Sequence, residues 1–280
     1  MQRLVFLILA FFCFICFGQN GPVHAYTDEE FETILLAARA AGATYAQASD
    51  ADNVFVQGKI YNNMKKQLED DARLEEITEI GEDGKVAHTV IAIKGKDVYI
   101  AFPGKTDGMS GIMKIIFGRK NTTDMPWECH GGILPYYSPL HDQLLDKLQE
   151  LQKDEKKSFI FTGHCSGGAK AALAMASFLN QRDLPEDISV QLITFAQVPA
   201  VFPPEEVVEI KKNARFDGHH NIWLENDFWR RPSAWLDWVR GNVHFSERNV
   251  IEPATIVSLL KRHRLIGYIA AIEKIRDKEE

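Results

Sequence analysis

Cysteine is scarce in this chain of 280 residues. Two of its four cysteines, Cys13 and Cys16, fall in an apolar N-terminal stretch, which leaves Cys129 and Cys165 for the rest. At most one disulfide, Cys129–Cys165, is therefore open to an exported form of the chain. Sequence alone cannot place those two Cβ atoms within the roughly 4 Å that a bridge needs. Long hydrophobic runs are equally few. Arg3 precedes one continuous run, Leu4 to Phe17, and no other segment is apolar enough to cross a bilayer. Val23-His24-Ala25 has small residues where a signal peptidase cleaves, so residues 1–25 read as a secretory signal peptide, with an uncleaved anchor as the alternative. No lipobox precedes Cys13 or Cys16, which argues against a lipoprotein. An excess of positive charge is also missing. The net charge is -7, and removal of residues 1–25 takes away Arg3 and makes it -8. Such a surface gives no support for nucleic-acid binding. Repeats, low-complexity tracts and Pro/Gly/Ser linkers are absent, so residues 26–280 read as one secreted or periplasmic domain.

What is present is an alternation of strand and helix patterns. Thr27-Asp28-Glu29-Glu30 resembles a capping box ahead of a helix running to Ala41. Lys85 to Lys94, rich in Val and Ile and bounded by Gly84 and Gly95, predicts a strand, and Val98 to Phe102 a second. Ser138 to Lys153 has helical periodicity in Leu140, Leu144, Leu145, Leu148 and Leu151. Strands are expected at Phe159 to Thr162, at Val190 to Phe195 and at Asn221 to Leu224, and a helix from Ala254 to Arg276. This order implies an α/β fold, a mostly parallel central sheet with helices on both faces.

The most informative stretch joins one of these strands to an Ala-rich helix: Phe159-Ile160-Phe161-Thr162-Gly163-His164-Cys165-Ser166-Gly167-Gly168. This is the layout of the G-x-S-x-G nucleophile elbow of an α/β-hydrolase, with Cys165 in place of the serine. The elbow needs small residues two positions either side of its apex, so that strand and helix can approach. Gly163 and Gly167 frame Cys165 in this way, whereas Ser166 is framed by His164 and Gly168. Cys165 is therefore preferred to Ser166 as nucleophile. The N–H of Ser166 would be one oxyanion donor. The competing reading is a Gly-rich turn with a buried, inert cysteine.

Four further motifs stand in order around this one. Val98-Tyr99-Ile100-Ala101-Phe102-Pro103-Gly104 looks like a strand ending in Phe-Arg-Gly-Thr/Ser. Cys129-His130-Gly131-Gly132-Ile133 looks like Val-His-x-Gly-Phe, and Thr162 to Gly168 like Thr-Gly-His-Ser-Leu-Gly-Gly. Thr194-Phe195-Ala196-Gln197-Val198-Pro199 looks like a Thr-Phe-Gly-x-Pro strand end. Over roughly Val86 to Ile272 the chain resembles the class 3 (fungal-type) lipases of the α/β-hydrolase fold. The resemblance implies a triad in the order nucleophile, Asp, His. Asp227, in Leu224-Glu225-Asn226-Asp227, matches the family Asp, with Glu225 as substitute. His263, in Arg262-His263-Arg264-Leu265-Ile266-Gly267-Tyr268, matches the family His, with His244 as runner-up. Lys105 stands where the second oxyanion residue, a Ser or Thr, is expected, and its N–H would serve. Pro103, Lys105, Cys165 and Ser166 all depart from the family pattern.

The resemblance implies hydrolysis of acyl esters or thioesters, with a lipid or other acyl-ester substrate and contact with a lipid surface. It implies no cofactor. Two alternatives stay open, an acyltransferase working through a thioacyl intermediate and a non-catalytic lipid- or protein-binding member of the fold. Met109 to Trp127 occupies the place of the lipase lid, or is a short packed helix. Trp223, Trp229, Trp235 and Trp238 line a pocket rim or an interface, or pack in the core. His164 is expected to pack within the elbow and His130 to support its loop. His219-His220 resembles a metal pair only superficially, since adjacent residues point apart. Asn121-Thr122-Thr123 fits a glycosylation acceptor in a eukaryotic secretory pathway.

Overall fold

The computed structural model describes residues 26–46, 58–80, 86–104, 121–230, 240–254 and 264–279, together with 233, 234 and 237. The predicted signal peptide, Lys105, most of the lid segment, Trp235, Trp238 and His263 lie outside these residues.

Helix α1 (Asp28–Ala43) begins with the expected capping box. Thr27 Oγ1 accepts the Glu30 N–H, and the Glu30 carboxylate accepts the Thr27 N–H at 2.8 Å. Its Ala-rich face is buried, which lets its backbone lie close to the sheet. A second helix, α2 (Gly58–Asp71), packs on it. Gly42 of α1 leaves room for the Met64 thioether of α2, which would stand 2.8 Å from a Cβ at that position. Sequence reading did not anticipate α2, because its apolar residues are few and Lys- and Asn-rich stretches separate them.

The strands that follow are β1 (Arg73–Ile80), β2 (Val86–Lys94) and β3 (Asp97–Phe102), a meander of antiparallel pairs. Two short strands, β4 (Asn121–Thr122) and β5 (Cys129–His130), form a small separate ribbon. Helix α3 (His141–Lys153) is preceded by two 3-10 turns, so the predicted helix from Ser138 begins as 3-10 and becomes α at His141. Then come β6 (Ser158–His164), α4 (Ser166–Leu179), β7 (Ser189–Phe195), α5 (Pro204–Lys211), β8 (Phe216–Leu224), β9 (Arg248–Ile251) and α6 (Leu265–Glu279). Ala254, where a long helix was expected to begin, is not helical.

Among the described residues the main sheet has 7 strands in the order β1-β2-β3-β6-β7-β8-β9. From β3 to β9 every pair is parallel. The fold class inferred from the alternation of elements is the observed one. Two apolar clusters cover its faces, one built on α1, α2 and α6 and the other on α3 and α4. Parallel strands buried on both faces read as continuous apolar runs, which is why β3, β6 and β7 were legible in the sequence. β8 is longer than expected because its first half, Phe216 to His220, carries polar residues.

His219 of β8 is buried, and its Nε2 lies 2.9 Å from Thr194 Oγ1 of β7. Burial holds its imidazole well below the ordinary histidine value, and the nearby His244, His220 and Lys211 push the same way. The unfolded chain therefore binds a proton that the folded one refuses. This contribution to stability is complete above the unfolded value, about pH 6.5, and is lost as pH falls below it. We expect urea unfolding midpoints to fall between pH 7 and pH 5, with His219 contributing up to about 1.4 kcal/mol per pH unit. His219→Gln should flatten that slope. An unchanged slope would remove His219 as its source.

Candidate active site

The parallel strands deliver four chain ends to one edge of the sheet, where ligands of open α/β folds bind. β3 ends at Phe102, β6 at His164, β7 at Phe195 and β8 at Leu224. Gly104, Cys165, Gln197 and Asp227 follow these ends.

Cys165 is the apex between β6 and α4. Its backbone has φ 57 and ψ -126, a conformation that costs free energy in an L-residue and persists only when its surroundings enforce it. The enforcement is visible. The Cys165 N–H donates to Phe195 O at 2.9 Å, and Cys165 O accepts the N–H groups of Gly168 at 3.1 Å and Val198 at 3.2 Å. The two framing glycines are tightly packed against backbone. A Cβ on Gly163 would stand 2.3 Å from Gly167 C, and one on Gly167 would stand 2.2 Å from Phe102 O. At Gly168 the nearest atoms belong to the Gln197 side chain, at 3.0 Å or more. The steric frame thus closes on Cys165 and not on Ser166, as the spacing of the glycines predicted. α4 starts at Ser166, so the thiol lies at the positive end of a helix dipole. Cys165 and Cys129 are both free thiols. Burial, with Asp124, Glu128 and Glu206 nearby, pushes Cys129 up to about 12.

Asp227 follows β8 in a tight turn, its N–H donating to Leu224 O. It is buried, and its carboxylate is held at both oxygens. Oδ1 accepts the Trp229 N–H at 2.8 Å and Oδ2 accepts the Tyr268 hydroxyl in a very short hydrogen bond. Burial, and then the Asp227 charge, raise Tyr268 well above the ordinary phenol value, so it remains a donor. Glu225, the weighed substitute, is exposed. Tyr268 comes from α6, the helix that follows His263 in the chain, and its ring lies edge-on to His164 at 5.9 Å. The last helix therefore ties the Asp227 turn to the elbow.

His164 does more than pack. Its Nδ1 is 3.0 Å from the hydroxyl of Tyr45, just beyond the end of α1. The same hydroxyl accepts the Gly104 N–H at 3.0 Å. Tyr45 was not anticipated, since a tyrosine at the end of an Ala-rich helix has no sequence signal for such a role. His130 accepts the Gly132 N–H at 3.1 Å, as expected of a residue supporting its loop. His219 and His220 face opposite ways, one toward Thr194 and the other beside Tyr26.

His244, the runner-up base, is engaged elsewhere. Its Nε2 lies 3.1 Å from Asp237 Oδ2, which also accepts Arg248 at 3.1 Å, while Asp237 Oδ1 accepts the Ala200 N–H at 2.9 Å. The Arg248 guanidinium also lies 4.6 Å from the Trp223 ring centre. Trp223 and Trp229 are buried, Trp223 donating its indole N–H to Asn221. Both are core residues rather than parts of a rim. The Asn121 amide donates to Glu128 and Asn242, a structural use of the side chain in the glycosylation motif.

Comparison with known proteins follows the same stretch of chain. The Lipase (class 3) family model matches residues 99–228, from β3 to just past Asp227. The triacylglyceride lipase of Rhizomucor miehei has 19% identity and a TM-score of 0.58, over 81% of this chain and 82% of its own. Lipase II from Rhizopus niveus has 19% identity and a TM-score of 0.58, over 82% of each chain. A triacylglycerol lipase whose catalytic centre is formed by a serine protease triad has 19% identity and a TM-score of 0.55, over 76% of this chain and 78% of its own. No curated protein matches the chain. The fold is that of the fungal triacylglycerol lipases, and the family match supports the class 3 lipase family.

Two outcomes test this geometry. Gly163→Ala and Gly167→Ala should each destabilise the protein by about 3 kcal/mol or more, since backbone must move, while Gly168→Ala costs about 1 kcal/mol. Denaturant midpoints that rank Gly168→Ala worst would place the apex elsewhere. Iodoacetamide at pH 8 should alkylate Cys165 and leave Cys129 intact, because a thiol near 12 is almost wholly protonated there. Peptide mapping that finds Cys129 labelled first would overturn this.

Proposed function

We propose that the chain is an exported class 3 lipase-like hydrolase of acyl esters or thioesters with a cysteine nucleophile. The observation that carries this reading is the apex conformation of Cys165, locked by Gly163 and Gly167 at the start of α4. An inert cysteine gains nothing from a strained backbone at the mouth of a parallel sheet, whereas a nucleophile is presented by it.

In this proposal His263 takes the thiol proton and the Cys165 sulfur attacks the acyl carbonyl. The oxyanion is stabilised by the N–H groups of Ser166 and Lys105 and by the α4 dipole. Collapse expels the alcohol or thiol, which receives the proton from His263, and leaves a thioacyl enzyme. Water, deprotonated by His263, then releases the carboxylic acid. Asp227 orients His263 and stabilises its imidazolium. Its carboxylate is fixed by Trp229 and Tyr268, which suits an orienting role. Residues 1–25 would direct export. Similarity to triacylglycerol lipases supports a lipid ester as substrate and contact with a lipid surface.

The test uses the secreted protein with p-nitrophenyl esters and thioesters of graded chain length, turnover being followed alongside the intact mass. A thioacyl adduct should appear on the Cys165 peptide. Asp227→Asn and His263→Ala should each lower turnover about 10²- to 10⁴-fold with melting temperature kept. Cys165→Ser should lose activity if the site is tuned for a thiol, because serine asks more of its base and oxyanion hole. A gain of ester hydrolysis in Cys165→Ser would instead mark a decayed serine lipase. Equal inactivity of folded wild type and Cys165→Ser on all substrates would favour a binding protein. Loss of turnover in His244→Ala but not in His263→Ala would reassign the base.

A further inference from the structure

We propose that the Tyr45 hydroxyl is a positioning group of this site, holding the turn after β3 in register with the nucleophile elbow. The inference rests on the hydrolase reading above and adds a residue to it.

The hydrogen-bonded register of β3 and β6 ends at the pair Phe102↔Gly163. Beyond that pair the two chains diverge into the turn at Pro103-Gly104 and the elbow at His164-Cys165. Both turns must still hold a fixed distance, because an oxyanion hole needs donors from each side of the developing charge. The sheet no longer supplies that constraint. Tyr45 does, from a third element. Its hydroxyl accepts the Gly104 N–H at 3.0 Å and lies 3.0 Å from His164 Nδ1. A peptide N–H cannot accept, so the phenolic proton is open to His164 Nδ1 in the tautomer whose hydrogen sits on Nε2. One hydroxyl therefore spans the gap, accepting the Gly104 N–H on one side and pairing with the His164 imidazole on the other.

The surroundings leave it little freedom. Tyr45 is buried, and its ring packs on Tyr61 of α2 at 5.2 Å and edge-on to His164 at 6.1 Å. A side-chain carbon at Gly104 would stand 2.3 Å from the Tyr45 hydroxyl, 2.7 Å from His164 O and 3.3 Å from Cys165 Cβ. The hydroxyl, the elbow backbone and the nucleophile thus crowd one point, and Gly104 is the residue that fits it. Burial together with proximity to Cys165 raises the phenol well above its ordinary value, which keeps the proton in place as a thiolate forms. The chain has Lys105 where the class 3 lipases have a Ser or Thr. A turn without that hydroxyl depends more on a donor–acceptor bridge from outside it.

Two reactions of the same sulfur separate positioning from stability. Alkylation by iodoacetamide needs a reactive thiolate and no oxyanion hole, whereas acylation by a p-nitrophenyl thioester needs both. In Tyr45→Phe, acylation of Cys165 should fall about 10- to 100-fold while alkylation stays within about twofold of wild type. In steady state the loss should fall on kcat, with KM little changed. Acylation and alkylation falling together, or acylation unchanged, would overturn the role of Tyr45 and leave the hydrolase reading standing. Wild type that alkylates but never acylates would overturn both. If Tyr45→Phe does not melt cooperatively, the His164 pair decides. Asn retains a polar atom at the place of Nδ1 and Ala does not, so acylation should fall less in His164→Asn than in His164→Ala. Equal losses in the two would also overturn the proposal.

Discussion

The contact on which the site depends is backbone against backbone, between Gly163 at the end of β6 and Gly167 in the first turn of α4. A carbon added to either would lie 2.2 to 2.3 Å from main-chain atoms. Strand and helix can approach so closely only without Cβ atoms, and the residue between them is forced to φ 57. The strain at Cys165 is held by hydrogen bonds to Phe195, the last residue of β7, and to Val198 just beyond it. Large parts of the core serve this joint. α4 is buried along its whole length, so it cannot back away from the sheet.

The second constraint is topological. Parallel strands bring their carboxyl ends to one edge, so residues far apart in the chain meet without long loops reaching inward. The Gly104, Cys165 and Asp227 turns are placed by the register of β3, β6, β7 and β8. Helices α1 and α6 then lock the turns to each other through single hydroxyls. Tyr45 joins Gly104 to His164, and Tyr268 joins Asp227 to the ring stack around His164. A hydroxyl suits this task because it accepts and donates at once and its phenol ring fills apolar space.

A second polar cluster, Asp237 with His244, Arg248 and the Ala200 N–H, lies beside this frame. It fastens the loop after β7 to β9. Asp237 is buried against the Arg248 guanidinium, the His244 imidazole and a backbone donor, so its charge is compensated. The same arrangement occupies Nε2 of His244. The cluster ties together separate segments of the chain, and an Asp–His pairing of this kind is not recognisable from its residue types alone.

The sheet's parallel half and the glycine frame of the elbow were legible in the chain. Buried parallel strands are apolar on both faces, and the Gly-x-Cys-x-Gly spacing follows from sterics that act over five consecutive residues. Both signals are local, so the chain carries them openly. The motifs that resemble those of the class 3 lipases were legible for the same reason, each being a strand end and its turn. Tertiary structure alone decided the partners of those turns. Tyr45 precedes Cys165 by a long stretch of chain, and Tyr268 reaches Asp227 only because α6 packs beside β8. The Asp237 partner of His244 is likewise a matter of packing, since a histidine's setting is fixed by what faces its two nitrogens. α2 was missed because its stability comes from Tyr61, Met64 and Leu68 buried against α1 and not from its own composition. Local sterics are written residue by residue, whereas a hydrogen bond across the fold exists only once the layers have packed.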